Sequence, residues 1–137
     1  MSTTLYKPAG TKVLRVLLVD DDKMMLTVIG DTLEDLGATQ VVKAENGTTG
    51  IQAFERLHPA PELIMCDLSM PGSDGFQFME QLGARKYGGA VVLMSGMSSR
   101  YLNSASLMGR FHQLNIAAVM NKPIDENALR QVMAKLR

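Results

Sequence analysis

Five short apolar runs, each stopping at a polar or charged residue and each followed by a stretch of helical period, constrain this chain more than any other feature. The first run covers residues 13–19 and ends abruptly at Asp20, Asp21 and Asp22. An apolar, β-branched run of that length, bounded by turn-forming residues, reads as a buried strand. Met24, Met25, Val28, Ile29, Thr32, Leu33 and Leu36 then recur at helical spacing, and Gly37 stands where a helix closes. Further strands are expected at 40–44, 63–66, 91–94 and 116–120. Between them Asn46-Gly47 predicts a turn before a helix to about residue 57, which His58-Pro59-Ala60-Pro61 closes. Asp74 predicts a cap for a helix reaching about residue 84. A polar stretch at 95–99 precedes a helix ending near residue 113, and Asp125 caps a last helix to residue 136.

Strands and helices that alternate without interruption predict a parallel sheet covered by helices on both faces. For five strands the doubly wound order is 2-1-3-4-5, so the expected fold is the flavodoxin-like (βα)5 sandwich. A length of 137 residues suits one domain. Residues 1–11 have no apolar period and carry Pro8 and Gly10, so they read as a flexible leader ahead of a domain at 12–137.

The charge balance narrows the function. Fourteen basic residues match fourteen acidic ones, without the Lys/Arg stripe that neutralises nucleic-acid phosphates, so direct nucleic-acid binding is not expected. The lone Cys66 cannot form an internal disulfide or a multi-thiolate zinc site, and it falls inside an expected strand, where it reads as a small buried hydrophobe. With no signal-like or membrane-length apolar run, a cytoplasmic protein without membrane contact is expected. His58 and His112 have no second histidine spaced for a metal and read as surface residues.

In open parallel sheets the reactive groups lie beyond the carboxyl ends of the strands. Here those ends carry Asp20-Asp21-Asp22, Asp67, Ser95-Gly96 and Asn121-Lys122-Pro123. In the order 2-1-3-4-5 these four ends are neighbours, at strand spacings of about 4.8 Å. Carboxylates gathered so closely repel unless a cation joins them. Oxygen ligands without histidine suit Mg²⁺, which keeps positions for phosphate oxygens. A carboxylate is also a competent nucleophile toward phosphorus, and Lys122 and the Ser95 hydroxyl are placed to bind the oxygens of a transferring phosphoryl group. Asp22 reads as a helix cap and stands outside the metal set.

Val19-Asp20-Asp21, Asp67-Leu68-Ser69-Met70-Pro71 with Asp74-Gly75, Ser95-Gly96 and Lys122-Pro123 together resemble the receiver domain of bacterial response regulators. Each motif is common; four in order, each at an expected strand end, are specific. The resemblance implies that Asp67 is the phospho-acceptor and that Asp20, Asp21, Asp67 and the Ser69 carbonyl hold Mg²⁺. It implies that Ser95 and Lys122 contact the phosphoryl group and that Lys122-Pro123 is a cis peptide. It further implies a self-catalysed switch and not a turnover enzyme, loaded by a sensor histidine kinase or a histidine phosphotransfer protein and read by a downstream effector. The switch is expected as a monomer or a phosphorylation-dependent dimer, with its moving parts on the last strand and the last two helices.

Two positions depart from the family pattern. Where the family often has a Tyr or Phe three residues before the lysine, this chain has Val119, so no large ring reports activation. The segment 95–116 is longer and more polar than in most relatives, and is similar to receivers attached to EAL-type cyclic-di-GMP phosphodiesterase domains. Two other functions stand beside the switch. Asp20-x-Asp22 after a strand also looks like the opening of haloacid-dehalogenase-type phosphohydrolases, with Asp20 as nucleophile and Asp22 as acid; Met24 and the lack of room for a cap domain count against it. The other is a receiver-like interaction module that is not phosphorylated.

Overall fold

Five strands form one sheet in the computed structural model, which describes residues 13–71, 74–96 and 112–136. They are β1 (Arg15–Val19), β2 (Gln40–Ala44), β3 (Leu63–Asp67), β4 (Ala90–Ser95) and β5 (Asn115–Asn121). All neighbours pair in parallel, in the order β2-β1-β3-β4-β5 expected from the alternation. Among the described residues four helices connect or flank them: α1 (Lys23–Asp35), α2 (Gly47–Arg56), α3 (Asp74–Ala84) and α4 (Glu126–Lys135). The leader at 1–11 and most of the helix expected before residue 113 lie outside the described residues.

Alternation along the strands divides the core into two layers. Leu17, Val19, Ile64, Cys66, Val91 and Leu93 face Ile51 of α2 and Phe78, Met79 and Leu82 of α3. Val16, Leu18, Leu63, Met65, Val92 and Met94 face Leu26, Ile29 and Leu33 of α1 and Leu129, Val132 and Met133 of α4. Both sheet faces are therefore covered, and β3 and β4 are buried along their whole length. Each large side chain buried this way contributes about 1.5–3 kcal/mol, so these layers fix where the strand ends stand.

Several local expectations hold. Asp22 caps α1, accepting from the amides of Met24 and Met25; Gly37 takes the left-handed conformation (φ 107°) after that helix; Asp125 caps α4. Lys122-Pro123 is cis, as is His58-Pro59. Three expectations need correction. Asn46-Gly47 is a helix start and not a turn, because the Asn46 side chain accepts the Thr49 amide while the Thr49 hydroxyl receives the Asn46 amide. Asp74 is the first residue of α3, and its carboxylate accepts from the Gly47 amide, tying the starts of α2 and α3 together. His58 is exposed, but His112 is half-buried, its Cβ and carbonyl oxygen packed where a Gly83 side chain would stand.

Candidate functional site

The strand ladders run to the very edge of the site. Asp20 follows the last residue of β1 with its amide still donating to Ala44 O at 3.1 Å, and Asp67 is itself the last residue of β3. Beyond it the Leu68 amide donates to Met94 O at 2.8 Å, and the Lys122 amide donates to Ser95 O at 2.9 Å. Backbone bonds therefore carry three strand ends into one rim. Gly75 completes the fit, since a Cβ there would lie 2.9 Å from the Asp67 carbonyl oxygen.

Three carboxylates meet on that rim. Oxygen atoms of Asp20, Asp21 and Asp67 all lie within 4.8 Å of one another. Asp20 and Asp67 are buried, whereas Asp21 is exposed and closes the group from the solvent side. Lys122 lies among them, its Nζ 2.7 Å from Asp20 Oδ2 and 3.2 Å from Asp67 Oδ2. The other oxygen of each buried carboxylate is held by backbone: the Asp22 amide donates to Asp20 Oδ1 at 2.9 Å and the Ser69 amide to Asp67 Oδ1 at 2.8 Å.

The charges are not balanced. Among the described residues one ammonium faces this group of three carboxylates. Burial pushes the Asp20 carboxyl above its ordinary value and the charge of Asp67 adds to the rise, although the Lys122 hydrogen bond and the Asp22 amide pull the other way. Burial works to lower the Lys122 ammonium, yet the hydrogen bond to Asp20 and the charges of Asp67 and Asp20 prevail and hold it above its ordinary value. Such a pocket favours an added cation. Mg²⁺ takes oxygen ligands from one or two carboxylates and completes its shell with waters or phosphate oxygens, and here three carboxylate oxygens lie within 4.8 Å of one another. The donor set fits a hard divalent ion.

Comparison with known proteins agrees with this geometry. Residues 16–134 match the response regulator receiver domain family. The chain belongs to that family. The receiver is 26% identical over 130 residues to the chemotaxis protein CheY of Treponema pallidum, covering 95% of this chain and 86% of that one. It is 46% identical over 61 residues, 44% of its length, to a protein-glutamate methylesterase/protein-glutamine glutaminase of Natronomonas pharaonis. Of that methylesterase and two further curated relatives the receiver spans only 17%, 33% and 14% of the length. Among solved structures, a response regulator from Colwellia psychrerythraea superposes with a TM-score of 0.74 at 26% identity, covering 91% of this chain and 97% of that one.

Receiver domains are regulatory modules of two-component signalling with an acidic, Mg²⁺-binding pocket, and not catalytic enzymes in themselves. The phosphohydrolase alternative loses its acid as well, because Asp22 is occupied in capping α1. Of the residues singled out from sequence, Asp20, Asp21, Asp67 and Lys122 lie together, the Ser69 amide meets Asp67, and Ser95 adjoins the Ser69 hydroxyl and the Lys122 amide. Val119 lies on β5 and is 37% exposed. Cys66 is fully buried, and burial pushes its thiol well up. Among the described residues no helix is long and apolar enough to cross a membrane.

One feature was missed from sequence: the side chain of Ser69. Its hydroxyl lies 3.1 Å from Ser95 Oγ and accepts the Gly96 amide at 3.2 Å. Only the Ser69 carbonyl has a place in the family motif, and the hydroxyl's partner is 26 residues away, so no local pattern could have marked it.

Proposed function

We propose that this receiver accepts a phosphoryl group on Asp67 and signals through the change that follows. The supporting observation is the buried Asp67 carboxylate, held by the Ser69 amide on one oxygen and by Lys122 on the other, at the centre of an acidic group with one cation. An Asp67 oxygen attacks phosphorus, the donor's P–N bond to a histidine breaks, and the electron pair leaves with the imidazole, which takes a proton from solvent. Asp20, Asp21, Asp67 and the Ser69 carbonyl would hold Mg²⁺, which would supply positive charge against the phosphoryl oxygens. Lys122 moves from the carboxylates to those oxygens, and the Ser95 hydroxyl donates to another.

The donor is a sensor histidine kinase or a histidine phosphotransfer protein. A landing surface lies beside the rim, where Met25, Val28, Ile29, Pro123, Ile124 and Leu129 line an apolar groove between α1 and the start of α4. Met24 at 69% and Val28 at 50% exposure leave apolar surface for a partner there. The output is a downstream effector, for which a cyclic-di-GMP phosphodiesterase domain is the leading candidate, reached as a monomer or a phosphorylation-dependent dimer in the cytoplasm. Turning such a switch from mostly off to mostly on needs about 5 kcal/mol of differential stabilisation, which the new dianion must supply. Slow loss of the group to water resets the switch without turnover.

Incubation with Mg²⁺ and acetyl phosphate followed by intact-mass measurement tests the reading. The native chain gains one phosphoryl group, Asp67→Asn gains none, and Asp20→Asn gains it more slowly. Steady phosphate release abolished by Asp20→Asn would restore the phosphohydrolase, and no adduct on the native chain would leave a silent interaction module.

A further inference from the structure

Ser69 touches both halves of the site. Its amide donates to Asp67 Oδ1 at 2.8 Å, and its hydroxyl sits 3.1 Å from Ser95 Oγ while accepting the Gly96 amide at 3.2 Å. One residue thus meets the acidic group through its backbone and the exit of β4 through its side chain. A hydroxyl has one proton and two lone pairs, and only one of two facing hydroxyls can donate along their shared contact. The Gly96 amide already fills one lone pair of Ser69. Either hydroxyl can donate along that contact; with Ser69 as the donor, the proton of the fully buried Ser95 is turned away from Ser69 and toward its other neighbours. Two hydroxyls in series also polarise one another, so the outer one becomes the better donor.

We propose that the Ser69 hydroxyl is a positioning residue that orients the Ser95 proton toward an oxygen of the phosphoryl group arriving on Asp67. The role rests on Asp67 being the acceptor. It adds a part to the site that acts only through Ser95 and never touches phosphorus. With Val119 in place of an aromatic ring, the Asp67–Ser69–Ser95–Gly96 chain of contacts is a side-chain link from the acidic rim to the end of β4, beside the backbone bonds of Leu68 to Met94 and Lys122 to Ser95.

The test measures loading by acetyl phosphate with Mg²⁺, in which an Asp67 oxygen–phosphorus bond forms as the P–O bond to acetate breaks. Initial rates are taken by intact mass for the native chain, Ser69→Ala, Ser69→Thr, Ser95→Ala and the Ser69→Ala/Ser95→Ala double variant, with a thermal midpoint for each. Ser69→Ala should load about threefold to tenfold more slowly, the worth of one hydrogen bond, while Ser69→Thr stays within about twofold of native. In the Ser95→Ala background, Ser69→Ala should add nothing, whereas a general structural defect would slow both backgrounds alike and follow the midpoint. Unchanged or faster loading in Ser69→Ala, no rescue by Ser69→Thr, or independent effects of the two serines would overturn the role. A native chain that gains no group, or an Asp67→Asn chain that does, overturns the acceptor assignment itself and the role of Ser69 with it.

Discussion

The two ends of the sheet handle buried charge in opposite ways. At the amino ends of the strands one base meets one acid: the Glu62 carboxylate accepts the Arg15 amide at 2.6 Å and its guanidinium at 2.7 Å, each side chain 22% exposed. Nearby the Tyr87 hydroxyl donates to Pro61 O at 2.7 Å, and the Leu14 amide donates to Thr39 Oγ1 at 3.0 Å. At the carboxyl ends three acids share one lysine. This pair is matched one to one in charge, although Arg15 Nε is buried without a hydrogen-bond partner among the described residues. An open group stores unfavourable charge that a cation and then a phosphoryl group can relieve, so the same strands carry a structural end and a responsive one.

The largest effect that separates the ends should come from Lys122→Met. Removing the cation strands buried carboxylates, which costs about 3 kcal/mol of stability with divalent ions chelated. Denaturant unfolding measures this, and Mg²⁺ or a second change, Asp20→Asn, should recover much of it. Loading by acetyl phosphate should fall about a hundredfold, as when a charge-stabilising donor is removed. A Lys122→Met chain as stable as the native one would mean that the rim is not an open charge group at all. Glu62→Ala should produce the converse: about 2 kcal/mol lost with the two hydrogen bonds to Arg15, and native loading kinetics. Slower loading in Glu62→Ala would show that the two ends are coupled and not independent.

A smaller effect sharpens the contrast. A ligand that binds only the folded chain stabilises it by RT ln(1 + [L]/Kd), so Mg²⁺ at ten times its Kd should add about 1.4 kcal/mol to unfolding measured in chelator. Asp21→Asn should weaken this shift, because Asp21 is the exposed member of the carboxylate group. Asp31→Asn, an exposed acid on α1, should leave it intact.

What could be seen in advance follows the range of each interaction. Asp20 and Asp67 stand out because a carboxylate closing a buried apolar run has no cheap explanation; alternation predicts the parallel sheet, and the order follows once the doubly wound arrangement of five strands is assumed. Asn46-Gly47 misled because Asn favours both turns and helix starts; Thr49, three residues on, closes the cap with a hydroxyl where the usual signal is Glu or Gln. Asp74 was legible as an acid near a helix start, but its bond to Gly47 spans 27 residues and depends on how α2 and α3 lie on one face. The Ser69 hydroxyl was hidden for the same reason. Composition and period place elements, whereas side-chain pairs between loops depend on the finished packing.

The smallest effect lies at the structural end, in Tyr87→Phe. The hydroxyl's bond to Pro61 O is buried and the ring meets Phe54 edge-on with centroids 5.4 Å apart, so the substitution keeps the packing and removes one hydrogen bond. About 1 kcal/mol should be lost at neutral pH. Burial, aided by the charge of Glu62, pushes the Tyr87 phenol above its ordinary value of about 10. A phenol whose folded value is raised keeps its proton in the folded chain after the unfolded chain has released it, so stability falls as pH rises from about 10 toward the folded value. The native chain should therefore lose stability more steeply than Tyr87→Phe above about pH 10, and the gap between them should shrink there. Equal slopes would mean that the phenol reaches water, and that the amino end of the sheet is less tightly closed than its hydrogen bonds indicate.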